Sequence, residues 1–349
     1  MTIKTSEWRA RSGSTIGALL ACGKGLLAAD ESTATIAARF RSFAIEPSEE
    51  NRRRYREMLF TTPGVEKYIS GVILFDETIR QRADDGRTFV ELLYDRGITP
   101  GIKVDLGTTR LAGTRDERIT EGLDGLRERL DNYRTLGARF AKWRAVIAIG
   151  DERPSSHALD ANAHALARFA ALCQEADIVP IVEPEVLVDG DHSLEKSFDV
   201  TVATLVRVFA ALGSQRIVLE NMLLKPSMVV PGAGSTQQAT VLEVANATIT
   251  CLRQTVPAAV PGIAFLSGGQ APQIATAHLN AMNNASTVQP WELSFSFARA
   301  LQTPALELWR GKPENVSAAQ EVFYHRARCN SAAREGRYNN EVEEGTDYV

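Results

Sequence analysis

The sequence predicts an α/β fold in which eight parallel strands alternate with helices and close into a single (β/α)8 barrel of the TIM type. Short apolar runs rich in Val, Ile and Leu recur along the chain at intervals that leave room for a helix between neighbours. Most runs are apolar on both faces, which is typical of a parallel sheet covered by helices. The 349 residues show no linker or break in composition. An open doubly wound sheet is the alternative, but no G-x-G-x-x-G pattern follows the first run.

The predicted strands cover residues 25–29, 71–75, 101–104, 140–147, 178–182, 217–224, 262–266 and 293–297. Segments 122–136, 158–176 and 200–212 carry apolar residues at helical spacing, and glycines follow the first and the last of them. We therefore expect residues 1–333 to form the barrel with an N-terminal extension. Residues 334–349 are polar and acidic and are expected to form a mobile C-terminal tail.

Composition narrows the functional classes. A net charge of −4 gives no reason to expect nucleic acid or an anionic membrane as a partner. We expect no transmembrane segment, since no stretch approaches the ~20 apolar residues that a span requires. Four widely spaced cysteines suit free thiols in a reducing compartment, so a cytoplasmic location is expected, or an organelle if a transit peptide is missing.

Lysine is rare in this chain. Of the 39 basic residues only eight are lysines, so arginine is the ordinary surface cation. A lysine inside an apolar run is then expected to do chemistry that arginine cannot, because only the lysine amine can lose its proton at useful pH.

Charged residues gather at the predicted strand ends, where barrels of this type place their active sites. They are Asp30, Asp76, Glu77, Lys103, Asp105, Lys142, Arg144, Glu183, Glu185, Lys225 and Arg299. An unpaired buried charge costs several kcal/mol, roughly, so packing alone would not tolerate this set. Their convergence on one rim predicts a catalytic site, although a structural Lys–Glu network is the alternative interpretation.

Strand parity suggests a nucleophile. Lys142 and Arg144 share one face of their strand, as do Glu183 and Glu185 of the next. If Lys142 points inward, Lys225 can lie near it with Glu183 between them. A second ammonium and a partly dry pocket would then favour the free amine of Lys225, which could attack a carbonyl while Glu183 moves protons.

Two phosphate sites are predicted. Ser267, Gly268 and Gly269 follow the seventh strand and Arg299 follows the eighth, where this fold usually binds phosphate. Ser32 and Thr35 begin the helix after the first strand, with Arg39 further along it and Lys103 across the rim. An N-cap serine with a surface arginine is the alternative for the second group.

A catalytic metal is not expected. The five histidines lie in predicted helices or loops rather than at strand ends, and no carboxylate completes a zinc set with His157 and His164. We interpret them as surface or packing residues, and no cofactor is predicted.

Eight segments, in order, resemble the class I fructose-bisphosphate aldolases. They are LLAADEST (26–33), GVILFDET (71–78), GIKVD (101–105), FAKWR (140–144), IVEPEVL (181–187), LENMLLKP (219–226), FLSGGQ (265–270) and LSFSFARAL (293–301). The resemblance implies metal-independent, reversible cleavage of fructose 1,6-bisphosphate to dihydroxyacetone phosphate and glyceraldehyde 3-phosphate.

The resemblance also implies roles. Lys225 would form an imine with the ketone carbon, Glu183 would serve imine formation as acid and base, and Asp30 would take the C4 hydroxyl proton. Lys142 and Glu185 would stabilise charge, and Arg144 would bind substrate. The ketone-side phosphate would be bound by Ser267, Gly268, Gly269 and Arg299. The other phosphate would be bound by Ser32, Thr35, Arg39 and Lys103.

A few positions depart from the family pattern. Thr35 stands in place of serine, and Ala34 and Ala298 in place of glycines. The chain ends Tyr348-Val349, whereas the family commonly ends on a tyrosine that assists protonation at C3. Tyr348 is the candidate for that role.

Two other functions stay open from the sequence. A different Schiff-base enzyme, such as a transaldolase or deoxyribose-phosphate aldolase, would share the lysine chemistry without needing two phosphate sites. A scaffold that binds cytoskeleton or another macromolecule is the third interpretation. The resemblance further implies a homotetramer.

Overall fold

A computed structural model describes residues 13–345. Within that range, eight parallel strands close into a barrel, so the predicted (β/α)8 fold is confirmed. The barrel strands are β1 (Gly25–Ala28), β2 (Ile69–Leu74), β3 (Thr99–Lys103), β6 (Phe140–Ile147), β7 (Val179–Val186), β8 (Leu223–Leu224), β9 (Gly262–Phe265) and β10 (Glu292–Phe297). Their spatial order is β1-β10-β9-β8-β7-β6-β3-β2.

Helices surround the barrel. They are α1 (Thr33–Ser42), α2 (Glu49–Thr61), α3 (Asp76–Arg80), α4 (Phe89–Asp95), α5 (Leu126–Thr135), α6 (Ser156–Glu175), α7 (Leu194–Ser214), α8 (Val241–Thr255), α9 (Pro272–Asn283), α10 (Arg299–Trp309), α11 (Val316–Arg334) and α12 (Asn340–Glu344). Many begin at a Ser or Thr whose hydroxyl accepts a backbone N–H of the first turn, as Ser155 does for α6 and Thr240 for α8. The three helices predicted from spacing correspond to α5, α6 and α7.

The half of the barrel away from the carboxyl ends of its strands is filled by apolar side chains. Leu26, Ile73, Phe140 and Ile181 form a buried cluster inside it, together with Leu19 of the N-terminal helical segment. A Cβ on Gly101 would lie 2.2 Å from the Phe140 ring, so only glycine leaves room for that ring. This plug closes one end of the barrel and leaves the other end for polar side chains.

The strand ends differ from the predictions in two places. Strand β7 runs on to Val186, so Glu183 and Glu185 lie within it instead of after it. The eight-residue run predicted at 217–224 contains only the two-residue strand β8, preceded by a 3-10 turn at Leu219–Asn221. Local apolarity did not separate the turn from the strand because residues 217–219 are apolar like β8, although only Asn221 of the turn is buried.

A two-stranded antiparallel hairpin was not predicted. Strands β4 (Thr108–Arg110) and β5 (Arg118–Thr120) pair between β3 and α5, beside the barrel mouth. Their residues are mostly polar and partly exposed, so the hairpin lacks the apolar signal that identifies the barrel strands.

Part of the expected C-terminal tail is helical in the structure. The boundary at 333/334 falls inside α11, which ends at Arg334, and residues 340–344 form α12. Val342 is buried and Glu343 forms an ion pair with Arg326, which together hold this polar segment against the barrel. Tyr348, the proposed tail residue, lies outside the described residues.

Among residues 13–345, α7 is long and apolar enough to meet a length-and-composition test for a membrane span. Core helices of globular domains meet the same test, and the inner face of α7, with Leu205, Val208 and Leu212, is buried in the apolar core. We therefore assign α7 to the barrel.

Candidate active site

A cavity of about 810 Å³ opens at the carboxyl ends of the barrel strands. Its walls include the charged residues predicted from the strand ends, apart from Asp76 and Glu77, which lie outside it in α3. The lining residues that carry charge are Asp30, Glu31, Arg39, Lys103, Asp105, Lys142, Arg144, Glu183, Glu185, Lys225 and Arg299. The predicted convergence of charge on one rim is thus present in the fold.

The register between neighbouring strands determines which of these side chains lie at the same level along the barrel axis. Arg144 is level with Glu183, and Lys103 is level with Lys142. Lys225 directly follows β8, and its backbone N–H donates to the carbonyl of Val182 at 2.8 Å. This places Lys225 beside Glu183 of the neighbouring strand.

Lys142 lies at the centre of a buried ion cluster. Its Nζ is 2.8 Å from Asp30 Oδ2, 3.1 Å from Glu183 Oε2 and 3.7 Å from Asp105 Oδ2. The side chain is 3% exposed, so these contacts lie in a medium of low polarity. Lys142 therefore holds three acidic side chains in fixed positions.

Lys225 shares one of those acids. Its Nζ lies 3.0 Å from Glu183 Oε1, while Lys142 contacts the other oxygen of the same carboxylate. Among the described residues Glu183 Oε2 accepts no well-directed hydrogen bond, so the Lys142 contact there is an ion pair. That oxygen retains a lone pair that can receive a proton.

The charges of this cluster set its protonation. Burial alone would raise the pKa of Asp30, but the positive charges of Lys142 and Lys225 outweigh it and hold that pKa well below its usual range. Burial alone would lower the pKa of Lys142, but Asp30, Glu183 and Asp105 outweigh it and raise that pKa above its usual range. Asp30 is consequently a carboxylate and Lys142 an ammonium at neutral pH.

Arg144 and Glu185 form a second ion pair, two residues further along β6 and β7 than Lys142 and Glu183. Arg144 Nε donates to Glu185 Oε2 across β6 and β7, and Arg144 is 40% exposed at the cavity wall. Glu185 thus fixes the guanidinium where a ligand can reach it.

The predicted phosphate site after β9 and β10 is assembled in the cavity. Ser267, Gly268, Ala298 and Arg299 all line it. Gly269 lies beside them, since a Cβ there would be 3.1 Å from an Arg299 nitrogen. Gly268 and Gly269 have φ of +54° and +83°, which favour glycine, whereas Ala298 has φ of −103° and tolerates alanine.

The residues of the second predicted phosphate site already contact other protein groups. Ser32 caps α1 by accepting the Thr35 N–H at 3.3 Å, as the N-cap interpretation expects. Arg39 is paired with the buried carboxylate of Glu31, which Arg56 also contacts at 2.6 Å. Lys103 lies 2.6 Å from Asp105 Oδ1. These groups line the cavity, but each already has a protein partner.

Sequence reasoning gave no role to Asp105, Glu31 or Ser296. Asp105 joins Lys103 to the Lys142 cluster, and Glu31 holds Arg39. Ser296 lines the cavity, and its buried hydroxyl has no partner among the described residues. The parity of β10, which turns Ser294 and Ser296 to one face, was the available signal.

The sequence model of the family described as fructose-bisphosphate aldolase class-I matches residues 13–348. The chain belongs to the class I fructose-bisphosphate aldolase family. It is an enzyme, a lyase of the glycolytic aldolase family that cleaves fructose bisphosphate.

Relatives of the family come from several kingdoms. The chain is 56% identical to the probable fructose-bisphosphate aldolase class 1 of Xanthomonas campestris pv. campestris, over 93% of this chain and 97% of that one. It is 53% identical to fructose-bisphosphate aldolase 6, cytosolic, of Arabidopsis thaliana, over 93% and 90% of the two chains.

A solved structure agrees with the fold. The fructose-bisphosphate aldolase from Plasmodium falciparum, in complex with TRAP and a small molecule inhibitor, superposes with a TM-score of 0.94 at 46% identity. The match covers 96% of this chain and 97% of that one.

Proposed function

We propose that Lys225 is the nucleophile of the aldolase reaction and that Glu183 moves its protons. The observation that carries this proposal is the placement of both ammonium groups, Lys142 and Lys225, on the two oxygens of Glu183. Lys142 keeps its proton because Asp30 and Asp105 also surround it, so Lys225 is the lysine assigned to act as the amine nucleophile. The free amine of Lys225 then adds to the substrate ketone.

Glu183 serves the steps that follow addition. The carbinolamine carries a hydroxyl that leaves as water once it gains a proton, and the nitrogen lone pair forms the imine double bond. A carboxyl 3.0 Å from the Lys225 nitrogen is close enough to supply that proton and to take one back during hydrolysis. Lys142 is assigned to hold Glu183 in register with this nitrogen.

Asp30 is assigned to the carbon–carbon cleavage. It removes the proton of the C4 hydroxyl, the C3–C4 bond breaks, and its electron pair moves to the protonated imine, which becomes an enamine. The low pKa of Asp30, set by Lys142 and Lys225 against the effect of burial, keeps the base ionised before this step. Glyceraldehyde 3-phosphate leaves, and the enamine gains a proton at C3 before hydrolysis releases dihydroxyacetone phosphate.

The two ends of the substrate are assigned to the two anion sites. Ser267, Gly268, Gly269 and Arg299 are proposed to bind the ketone-side phosphate, with Arg144 and Glu185 lining the path between the sites. Ser32, Thr35, Arg39 and Lys103 are proposed for the other phosphate. Binding there requires Arg39 and Lys103 to share their charge between the phosphate and their acidic partners.

Borohydride reduction in the presence of dihydroxyacetone phosphate tests the nucleophile. We expect a three-carbon phosphate adduct on Lys225 by peptide mass mapping, formed equally with and without EDTA. An adduct on another lysine would reassign the nucleophile, and cleavage that EDTA abolishes would refute the metal-independent mechanism.

Replacing Glu183 with glutamine should slow imine formation by about 10²- to 10⁴-fold, the usual contribution of a general acid–base group. The amide keeps the shape of the side chain but cannot exchange a proton. Single-turnover borohydride trapping measures the rate. Glu195→Gln, in the first turn of α7, is a matched control and should trap at the wild-type rate. Unchanged trapping in Glu183→Gln would exclude the proposed role.

Replacing Arg299 with alanine should raise the half-saturating concentration of dihydroxyacetone phosphate in the trapping assay by about 10- to 100-fold. The reason is the loss of charge-assisted hydrogen bonds worth roughly 1.5–3 kcal/mol. Thr35→Ala should leave this value unchanged, because dihydroxyacetone phosphate has only the ketone-side phosphate. Equal effects of the two variants would contradict the assignment of the two sites.

The remaining assignments concern assembly and location. We propose a homotetramer in the cytoplasm, in keeping with cytosolic relatives such as the Arabidopsis enzyme. Tyr348 and the mobility of the chain end stay predictions.

A further inference from the structure

A cluster of metal-ligating side chains lies outside the catalytic cavity, where α12 packs against α11. His325 and Cys329 are four residues apart and therefore share one face of α11. Glu343 of α12 faces them, and the donor atoms of the three side chains lie within 4.8 Å of one another. None of the three lines the cavity of the catalytic site.

The spacing of the donors suits a tetrahedral ion. His325 Nε2 and Cys329 Sγ are 3.5 Å apart. Zinc bound to sulfur and nitrogen at the usual bond lengths, with a tetrahedral angle between them, separates the two donors by about 3.6 Å. The pair is thus spaced for a shared ion before any ion binds.

Several donors hold the Glu343 carboxylate. Arg326 donates to both of its oxygens, at 2.7 and 2.6 Å, the Tyr338 hydroxyl donates to Oε2 at 2.8 Å, and the Gln273 side chain also contacts the carboxylate. A carboxylate has about four acceptor positions, so an ion at Glu343 takes the place of the Gln273 contact. Arg326 and Tyr338 also fix the carboxylate, as hydrogen-bonding partners of metal ligands commonly do.

We propose that His325, Cys329 and Glu343 bind a zinc ion that fastens α12 to α11. The thiol of Cys329 loses its proton to solvent as the sulfur–zinc bond forms, His325 donates its neutral ring nitrogen, and a water completes the tetrahedron. The thiolate and the carboxylate together balance the charge of the ion. The thiolate selects zinc over magnesium and calcium, which take oxygen ligands.

Zinc at this position would hold α12, near the C-terminal end of the chain, against α11. Helix α12 has five residues. Its contacts with the rest of the protein include the buried Val342 side chain, the Arg326–Glu343 ion pair and the contacts of Arg328 and Cys329 with the Val342 carbonyl. A three-ligand bridge adds bonds that span the two helices. Residues 340–344 should therefore exchange their amide hydrogens more slowly when zinc is bound.

Cobalt substitution of the full-length protein, stripped of metal by a chelator, tests the site. We expect one cobalt per chain, with a sulfur-to-cobalt charge-transfer band and the visible bands of tetrahedral Co²⁺, and we expect Zn²⁺ to displace it. Cys329→Ser should abolish the charge-transfer band, whereas Cys22→Ser, at an exposed thiol, should retain it. Absence of the band in the unaltered protein, or its survival in Cys329→Ser, would overturn the proposal.

Milder variants cover the case in which Cys329→Ser does not fold. His325 is only half-buried, and His325→Gln should weaken cobalt binding by at least about tenfold. Tyr338→Phe, which removes a hydrogen bond to Glu343, should weaken it by about tenfold. Unchanged affinity in His325→Gln would refute the site. So would amide exchange in residues 340–344 that is the same with and without Zn²⁺.

Discussion

Replacement of Lys225 with methionine is expected to reduce cleavage of fructose 1,6-bisphosphate on the order of 10⁵-fold or more, as loss of a covalent nucleophile does in other enzymes. Methionine fills a similar volume but offers no amine, so neither imine nor electron sink can form. Lys225→Arg should be equally inactive, because guanidinium keeps its proton and its charge. A coupled assay of glyceraldehyde 3-phosphate release measures both variants.

The variant should remain folded. Lys142 still contacts Glu183 at 3.1 Å, so removal of Lys225 leaves no buried carboxylate without a cation. Its circular dichroism and its midpoint of urea unfolding should resemble those of the unaltered protein. Residual cleavage within tenfold of the unaltered enzyme would show that another group forms the imine.

Replacement of Lys142 with methionine should abolish turnover and also destabilise the fold, by about 3–5 kcal/mol at neutral pH. The substitution removes the ammonium contacted by Asp30, Asp105 and Glu183. Asp30 and Glu183 then depend on Lys225, and Asp105 on Lys103. A buried charge with fewer partners costs more than the pair contributed, so this loss should exceed that of Lys225→Met.

The pH dependence of stability should separate the two lysine variants. In Lys142→Met, Asp30 loses the largest charge that opposes the effect of burial, so its pKa in the folded state should rise and its protonated form should stabilise the fold at low pH. That contribution is lost as pH rises through the raised pKa of Asp30. The free energy of unfolding should therefore fall between about pH 4 and pH 8.

The unaltered cluster should behave in the opposite way at low pH. The pKa of Asp30 is depressed, so its stabilising contribution is present above about pH 4 and is lost as pH falls through the folded value. The pKa of Lys142 is raised, so its contribution is present below about pH 10 and is lost as pH rises through the folded value. Between these limits the cluster should contribute a constant stability.

Urea unfolding at intervals from pH 4 to pH 9 measures this difference. Lys196→Met, at a surface position near the start of α7, is the control and should follow the unaltered profile. A flat profile for Lys142→Met, parallel to that of the control, would mean that the three acids find other cations and that Lys142 is not the centre of the cluster.

Much of the fold could be read from the sequence because barrel strands are buried on both faces. Runs such as 71–75 and 140–147 are apolar over most of their length, and each corresponds to a barrel strand. The hairpin β4–β5 and the short β8 could not be read. The hairpin is polar and held by the rim, and β8 is shortened by the turn before Lys225. Neither feature leaves a periodic pattern.

The site was predicted less evenly. Motif order and strand parity brought Lys225, Glu183 and Lys142 together, and in the structure both lysines contact Glu183. They did not indicate that Arg39 would pair with Glu31 or that Lys103 would pair with Asp105. Those partners depend on rotamers and on the distance between a helix and the rim, which a local pattern does not contain. The same holds for Glu343, whose approach to His325 and Cys329 depends on how α12 folds back.

The sequence alone determined the family, the eight-strand barrel and the residue types at the strand ends, because covalent order and side-chain alternation are properties of the chain itself. The tertiary structure decided which charge meets which. Closing the barrel brings β6, β7 and β8 side by side and gives one carboxylate, Glu183, two ammonium partners. Electrostatic energy varies with distance and with burial, and both are set only when the barrel closes.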